Sequence, residues 1–303
     1  MNTRFRSERK RQINSIKWKI ADKAVSFVTY VSPKINTQLR YKMAYGVFPD
    51  LNHPRTFSEK LCWLKLFRYM NDPLVIKCAD KYRVREYLEE KGCNALLNEL
   101  YCVYDSAEQI EWDTLPDQFV MKWNFGAGKN LICKDKGHYT ADDVISLFRE
   151  WGKDKCWLPY SEMQYKHISP KIVCEKYLQD DSHSNALPDY KVYCFHGEPL
   201  ATLVMLDRNE QVKAVFFDQD WNALDNPKYN RPNEKIEKPE CFCQMMDSAR
   251  ILSKPFPFVR VDFYIVNGRL FFGELTFTPA GGIYTSHVKI QGKDMTDYLH
   301  IEL

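Results

Sequence analysis

The 303-residue chain has no run of about eighteen apolar residues, so nothing in it reads as a membrane-crossing helix. Its basic start, MNTRFRSERKRQ, is not followed by an apolar core and a cleavage site, so no signal peptide is expected. Glycine (12) and proline (15) are too scarce for a fibrous or low-complexity protein. Ten cysteines are present, but no CxxC. The only close pair is Cys241 and Cys243, which excludes an ordinary zinc site. Most of the others sit in apolar stretches, as reduced thiols that pack like small hydrophobes do, and the expected location is the cytoplasm. No internal repeat is visible. Neither GxxxxGK[ST] nor GxGxxG occurs around the glycine-containing loop 124–129.

What is present is a sizeable apolar content, 45% with 14% aromatics, enough for a large core. The net charge of +3 is unevenly spread. Residues 1–42 carry eleven Lys/Arg and two acids, a net +9; the other 261 residues carry 32 against 38, a net −6. Within the basic end, Ile13, Ile16, Ile20, Ala24, Phe27 and Val31 follow helical spacing and stop before Pro33. A basic amphipathic helix of this kind suits either packing on the body or peripheral contact of residues 1–31 with the inner, anionic face of a membrane. No groove-reading motif accompanies the charge, so no nucleic-acid partner is expected.

Thr56-Phe57-Ser58-Glu59 reads as a capping box opening a helix to about Met70, and Asp80 as the cap of a helix running to Gly92. Strands are expected at 118–123, 130–134, 171–178, 189–196, 200–206, 212–218, 256–266 and 269–277. Helices are expected at 140–151 and from Pro239 onward. This order implies α+β with antiparallel sheets. Three regions follow: a basic helical extension (1–40), a helical region (41–115) and a main domain (116–303).

Two stretches carry candidate chemistry. In 258–263 the alternation puts Arg260 and Asp262 on one face, and Glu274 and Thr276 share a face on the return strand. A two-residue Asn267-Gly268 turn would put Glu274 on the opposite side. A three-residue loop, Val266-Asn267-Gly268, pairs Arg260 with Glu274 and brings all four together, so that loop is expected. Two carboxylates on one rigid face suit Mg²⁺, or a structural ion pair with the arginine. Lys122 precedes the loop holding Gly126 and Gly128, whose backbone N–H groups could close over phosphates, and Lys81 follows Asp80. Asp218-Gln219-Asp220 is formally a DxD, which keeps a metal-dependent glycosyltransferase as an alternative.

Taken together, PRTFSEKL (54–61), DKYRVR (80–85), LPDQFVMK (115–122), EKYL (175–178), DYKVYCFHGEP (189–199), VRVD (259–262) and FGELTFTP (272–279) resemble the TupA-like ATP-grasp proteins. The resemblance implies an ATP-grasp fold, with ATP and Mg²⁺ between two α+β subdomains. It implies that Lys81 and Lys122 contact phosphate and that the Gly126–Gly128 loop covers it. Glu175, Lys176, Tyr177 and Leu178 would be the strand holding adenine, Asp189 the ribose acid, and Lys191 a further phosphate contact. Asp262, Glu274 and Thr276 would hold the metal, with Thr276 standing where many members have Asn, and Arg260 would be the cation near the reacting acyl phosphate. The implied activity is ATP-dependent carboxylate–amine ligation, joining a uronic-acid-containing surface glycan or its precursor to an amine or amino acid. A non-catalytic nucleotide-binding adaptor is the remaining alternative.

Overall fold

The computed structural model describes residues 21–180, 187–206, 213–226, 235–285 and 288–303. Two antiparallel sheets organise it. The smaller has the order β1 (Leu100–Tyr104), β4 (Ile172–Lys176), β2 (Phe119–Trp123), β3 (Asn130–Cys133). The larger has the order β10 (Arg269–Thr276), β9 (Phe258–Val266), β5 (Asp189–Phe195), β6 (Glu198–Leu206), β7 (Lys213–Phe217), β8 (Ala223–Leu224). Every pairing in both sheets is antiparallel, as the order of helices and strands implied.

Each sheet has its own core. Phe119, Met121, Trp123, Ile172 and Cys174 of the smaller sheet pack on Val144 and Phe148 of helix α6 (Ala141–Gly152). Thr140 caps α6 and Asp143 completes a capping box, satisfying N–H groups that the first turn would otherwise leave open. The larger sheet is covered by α7 (Phe242–Ser253), whose Phe242, Met245, Met246, Ala249 and Leu252 are all buried at the expected helical spacing. Against it also pack α3 (Phe57–Trp63), α4 (Pro73–Ala79) and α5 (Val84–Glu90). The Thr56–Glu59 capping box is present, but after Trp63 the helix continues to Tyr69 as a π-helix. That change of winding accompanies burial of the Lys65 ammonium, which reaches two carbonyls described below.

At the basic end, residues 1–20 lie outside the described residues, and so do Ile13, Ile16 and Ile20. Residues 21–31 are helical (α1), and α2 (Pro33–Tyr45) follows after Ser32, which caps it. The two run antiparallel: Arg40 reaches the Asp22 carboxylate, and Asn36 donates to the Val25 carbonyl at 2.6 Å. The side that faces the body carries Thr29 and Arg40, which bond the carbonyls of Leu158 (2.7 Å) and Pro159 (2.8 Å). Ala24, Phe27 and Val31 point away from it; Phe27 and Val31 are 68% and 85% exposed. β1 had no clear signal in the sequence. It lies inside the stretch 41–115 and supplies the edge strand of the smaller sheet.

Candidate active site

The hairpin β9–β10 brings Arg260, Asp262, Glu274 and Thr276 to one face, as expected, but by a different route. The connection is the two-residue turn Asn267-Gly268, both at positive φ (48° and 75°), with Val266 paired to Arg269. That turn alone would set Asp262 opposite Gly273. A bulge at Gly273 shifts the register by one, so that Asp262 faces Glu274 and Arg260 faces Thr276. The expected three-residue loop is therefore corrected: one extra residue sits in the strand, not in the turn. A side chain at Gly273 would meet the Asp262 carbonyl at 2.9 Å, so the bulge depends on glycine there.

These residues form a charged network. Arg260 donates through Nε and Nη2 to the two oxygens of Asp262, each at 2.6 Å, and through Nη2 to Thr276 Oγ1 at 3.0 Å. Thr276 donates to Glu274 Oε1 at 3.1 Å. From the neighbouring strand β5, Lys191 Nζ donates to Asp262 Oδ2 at 2.6 Å and lies 3.8 Å from Asp189. Burial alone would raise the Asp262 carboxyl; Arg260 and Lys191 outweigh it and hold the group below its ordinary value. Asp262 and Lys191 are buried, whereas the Glu274 side chain is 37% exposed and opens into the space between the sheets.

The smaller sheet supplies the opposite wall. Lys122 on β2 donates to Glu175 Oε2 on β4 at 2.7 Å, and Arg85 of α5 approaches the other oxygen at 3.4 Å. The Glu175 carboxylate thus pairs with these two cations, while the residue also lines the apolar space described next. Lys81 Nζ sits on the Gly126 carbonyl of the loop after β2. Burial lowers the Lys81 pKa, while the nearby Glu274 charge opposes that shift and Lys122 adds to it, so Lys81 senses both walls. Asn124 aligns the two lysines. Its amide donates to Asp80 Oδ1 at 2.9 Å and its backbone carbonyl accepts from Lys81 N–H at 2.9 Å. Asp80 caps the turn 81–83 ahead of α5, not a helix starting at once. Asn124 gave no sign of this role in the sequence, because its partners are more than forty residues away.

Between the walls lie two joined spaces. One, of about 370 Å³, is lined by Val120, Ile132, Tyr177, Leu178 and Tyr264 together with charged side chains that include Lys122, Lys134, Glu175, Lys176 and Asp189. Its apolar lining suits a flat heterocycle. The other, of about 570 Å³, takes in Lys81, Lys122, Gly128, Lys191, Asp262 and Glu274, a mostly cationic wall facing a carboxylate pair. Lys129 is not part of it and pairs with Asp154 at 2.6 Å. The Asp218-Gln219-Asp220 stretch borders neither space: Asp218 caps its own turn, accepting from Asp220 N–H and Asn222 N–H at 3.0 and 2.8 Å.

A family model described as TupA-like ATPgrasp matches residues 59–297. The chain belongs to the TupA-like ATP-grasp family. Its two antiparallel sheets with a cleft between them are the ATP-grasp fold. Among solved structures, this ATP-grasp chain is similar to D-alanine–D-alanine ligase from Bacillus anthracis complexed with ATP. There the identity is 18%, the TM-score 0.41, and the match covers 66% of this chain and 55% of that one. It is also similar to the ATP-grasp ligase PsnB complexed with a minimal precursor, at 14% identity and TM-score 0.43, covering 79% and 66%. A third is L-amino acid ligase from Bacillus licheniformis, at 12% identity and TM-score 0.44, covering 76% and 51%. The match thus spans between half and two thirds of the length of these proteins. No curated protein matches in sequence.

Proposed function

We propose that the protein is an ATP-dependent carboxylate–amine ligase. The observation that carries this reading is the facing of two unlike walls: Lys81 and Lys122 on the smaller sheet, and the Arg260–Asp262–Glu274–Thr276 face on the larger. Adenine would lie in the apolar space, against the strand 175–178, and the triphosphate would run toward Lys81 and Lys122 under the Gly126–Gly128 loop. In this reading Lys122 and Lys81 leave Glu175 and the Gly126 carbonyl for phosphate oxygens, and Arg260 meets the carboxylate that is phosphorylated, as a planar guanidinium can. Asp189, in the lining of the apolar space, would take the ribose, and Lys191 acts by holding Asp262 in place.

The donor set also fits Mg²⁺. Among the described residues no group of three or more Cys, His, Asp or Glu side chains could hold a metal alone. Asp262 and Glu274, directly opposed, leave the remaining positions to phosphate oxygens and water, as Mg²⁺ prefers, with the Thr276 hydroxyl beside them. The ion would neutralise negative charge on the triphosphate. The carboxylate substrate is proposed to be a uronic acid of a surface glycan or its precursor, and the nucleophile an amine or amino acid.

The test is ADP release by purified protein over uronic acids and amino acids, with Mg²⁺ and mass detection of the product. An amide product with ADP supports the reading; UDP release from a sugar nucleotide, or ATP binding with no turnover, overturns it. Glu274→Gln should lower ADP release by about a thousandfold. Its urea midpoint should stay close to wild type, because the side chain is partly exposed and its ion pair with Arg260 is long, 3.6 Å. A large loss of stability would instead make Glu274 a structural residue.

No described helix is long and apolar enough to cross a membrane. Peripheral contact is the reading for the outward stripe of α1. Phe27→Glu with Val31→Glu should weaken binding to phosphatidylglycerol vesicles about tenfold without changing ADP release. Unchanged vesicle binding would remove the idea.

A further inference from the structure

Next to the site described above lies a chamber of about 600 Å³. It shares Arg260, Glu274, Pro279 and Ala280 with the phosphate space and continues past them to Thr276, Glu162, Thr278 and the Tyr160–Gly281 wall. Its acidic side chains differ in how they are engaged. Asp154 is paired with Lys129, and Glu274 belongs to the Arg260 network. Glu162 accepts one hydrogen bond, from the Thr278 hydroxyl to Oε1 at 2.5 Å. No cation reaches it within ion-pair distance among the described residues.

The local backbone is built to present this carboxylate. Ser161, just before it, has φ 54°, an unfavourable conformation for a residue with a side chain. It is held there by a fully buried hydrogen bond between the Ser161 and Thr29 hydroxyls at 2.9 Å. Lys65, a buried cation whose charge Glu162 feels, spends its ammonium on the carbonyls of Tyr160 and Gly281 at 2.6 and 2.7 Å. A carboxylate is thus carried on a strained, anchored turn into a cavity that continues from the phosphoryl-transfer face, with no cation of its own.

We propose that Glu162 receives the ammonium group of the amine co-substrate and takes its proton before attack. The inference rests on the ligase reading and deepens it: the second substrate enters as a cation, a primary amine or amino acid in its ordinary ionisation state. One N–H proton passes to the Glu162 carboxylate. The freed lone pair attacks the acyl carbon of the acyl phosphate, the C–N bond forms, and the C–O bond to phosphate breaks with its electrons leaving on inorganic phosphate, which carries off the second N–H proton as the neutral amide forms. Burial pushes the Glu162 carboxyl above its ordinary value; the Thr278 bond and Lys65 oppose this, and the Glu274 charge adds to it. Cys156 and Tyr165 in the same chamber also sense its charge, and burial holds both protonated; Arg40, Asp154, Tyr160 and Arg260 are the remaining charged or titratable groups of the lining. A carboxylate raised in this way is a better proton acceptor near neutral pH.

The test compares two nucleophiles. Hydroxylamine is largely uncharged at pH 7 and needs no proton removed before attack, whereas ammonium ion and the common amino acids carry the proton that Glu162 would remove. ADP release is measured over uronic acids and amino acids as carboxylates, in wild type and Glu162→Gln. The expected variant retains hydroxylamine-dependent release, which also reports a folded ATP site. With the ammonium-bearing nucleophiles it loses about a hundredfold at pH 7, and regains rate as the pH rises toward the amine's own pKa. Equal loss with both nucleophiles, or equal retention, overturns the role of Glu162 alone. A wild type that accepts hydroxylamine but no ammonium-bearing nucleophile overturns it too. A wild type silent with every pairing overturns the ligase reading, and this inference falls with it.

Discussion

Asp262→Asn is expected to cost roughly 3–5 kcal/mol of folding stability, as well as all measurable turnover. The side chain keeps its shape, so packing is not the reason. Asp262 is 2% exposed and holds three charge-assisted hydrogen bonds, two from Arg260 and one from Lys191, each 2.6 Å long. Removing its charge leaves the Lys191 ammonium, itself 5% exposed, with Asp189 at 3.8 Å as its acidic partner among the described residues, and leaves the guanidinium with Thr276 and a distant Glu274. Uncompensated buried cations are costlier than the lost attraction alone. The measurement is the urea midpoint at pH 7, with an unchanged slope showing that the unfolded state is not involved. Lys191→Met added to Asp262→Asn should recover part of the loss, since it removes one of the stranded charges. A single variant within 1 kcal/mol of wild type would mean that water reaches the network and the ion pairs contribute little.

The same network shows how far the sequence could be read. Strand alternation placed Arg260 with Asp262 and Glu274 with Thr276, because side-chain direction in a strand is a local property. Joining the two pairs needed the cross-strand register, and there the local signal misled. Asn267-Gly268 is a two-residue turn by composition and in fact, and the shift that aligns the acids comes from Gly273, a glycine inside an otherwise regular strand. A bulge at an interior glycine is a signal that could have been weighed. The capping boxes at Thr56 and Thr140 and the apolar stripe of α7 were readable for the same reason as the alternation: each is set by neighbours within one or two turns. Asn124, Lys65 and Glu162 were not readable. Asn124 works through Asp80 and Ser169, Lys65 through Tyr160 and Gly281, and Glu162 through Thr278, all brought together only by the packing of the two sheets. β1 escaped for a related reason: as a short edge strand, its identity comes from pairing with β4 across about seventy residues.

Gly281→Ala should be the costliest single-methyl addition in the chamber wall, at roughly 3–4 kcal/mol. Two costs add. The first is conformational: Gly281 has φ 65°, where an L-residue loses about 1–2 kcal/mol. The second is steric: a Cβ there would lie 2.5 Å from Cβ and 2.6 Å from Cδ1 of Tyr160. Neither side can yield freely. Lys65 binds the carbonyls of both Tyr160 and Gly281, and the next carbonyl, Gly282, accepts from Ser58 at 3.0 Å. Gly46→Ala separates the two costs, because Gly46 has φ 77° at the end of α2 and an added Cβ meets nothing within 4 Å. It should cost about 1 kcal/mol in the same urea measurement. If the two variants lose the same amount, the Tyr160 wall moves aside and the chamber is softer than its contacts indicate. If Gly281→Ala loses the larger amount, the Tyr160–Gly281 wall of the chamber that Glu162 lines is rigid. The space an amine would enter is then shaped before it arrives, as positioning a nucleophile requires.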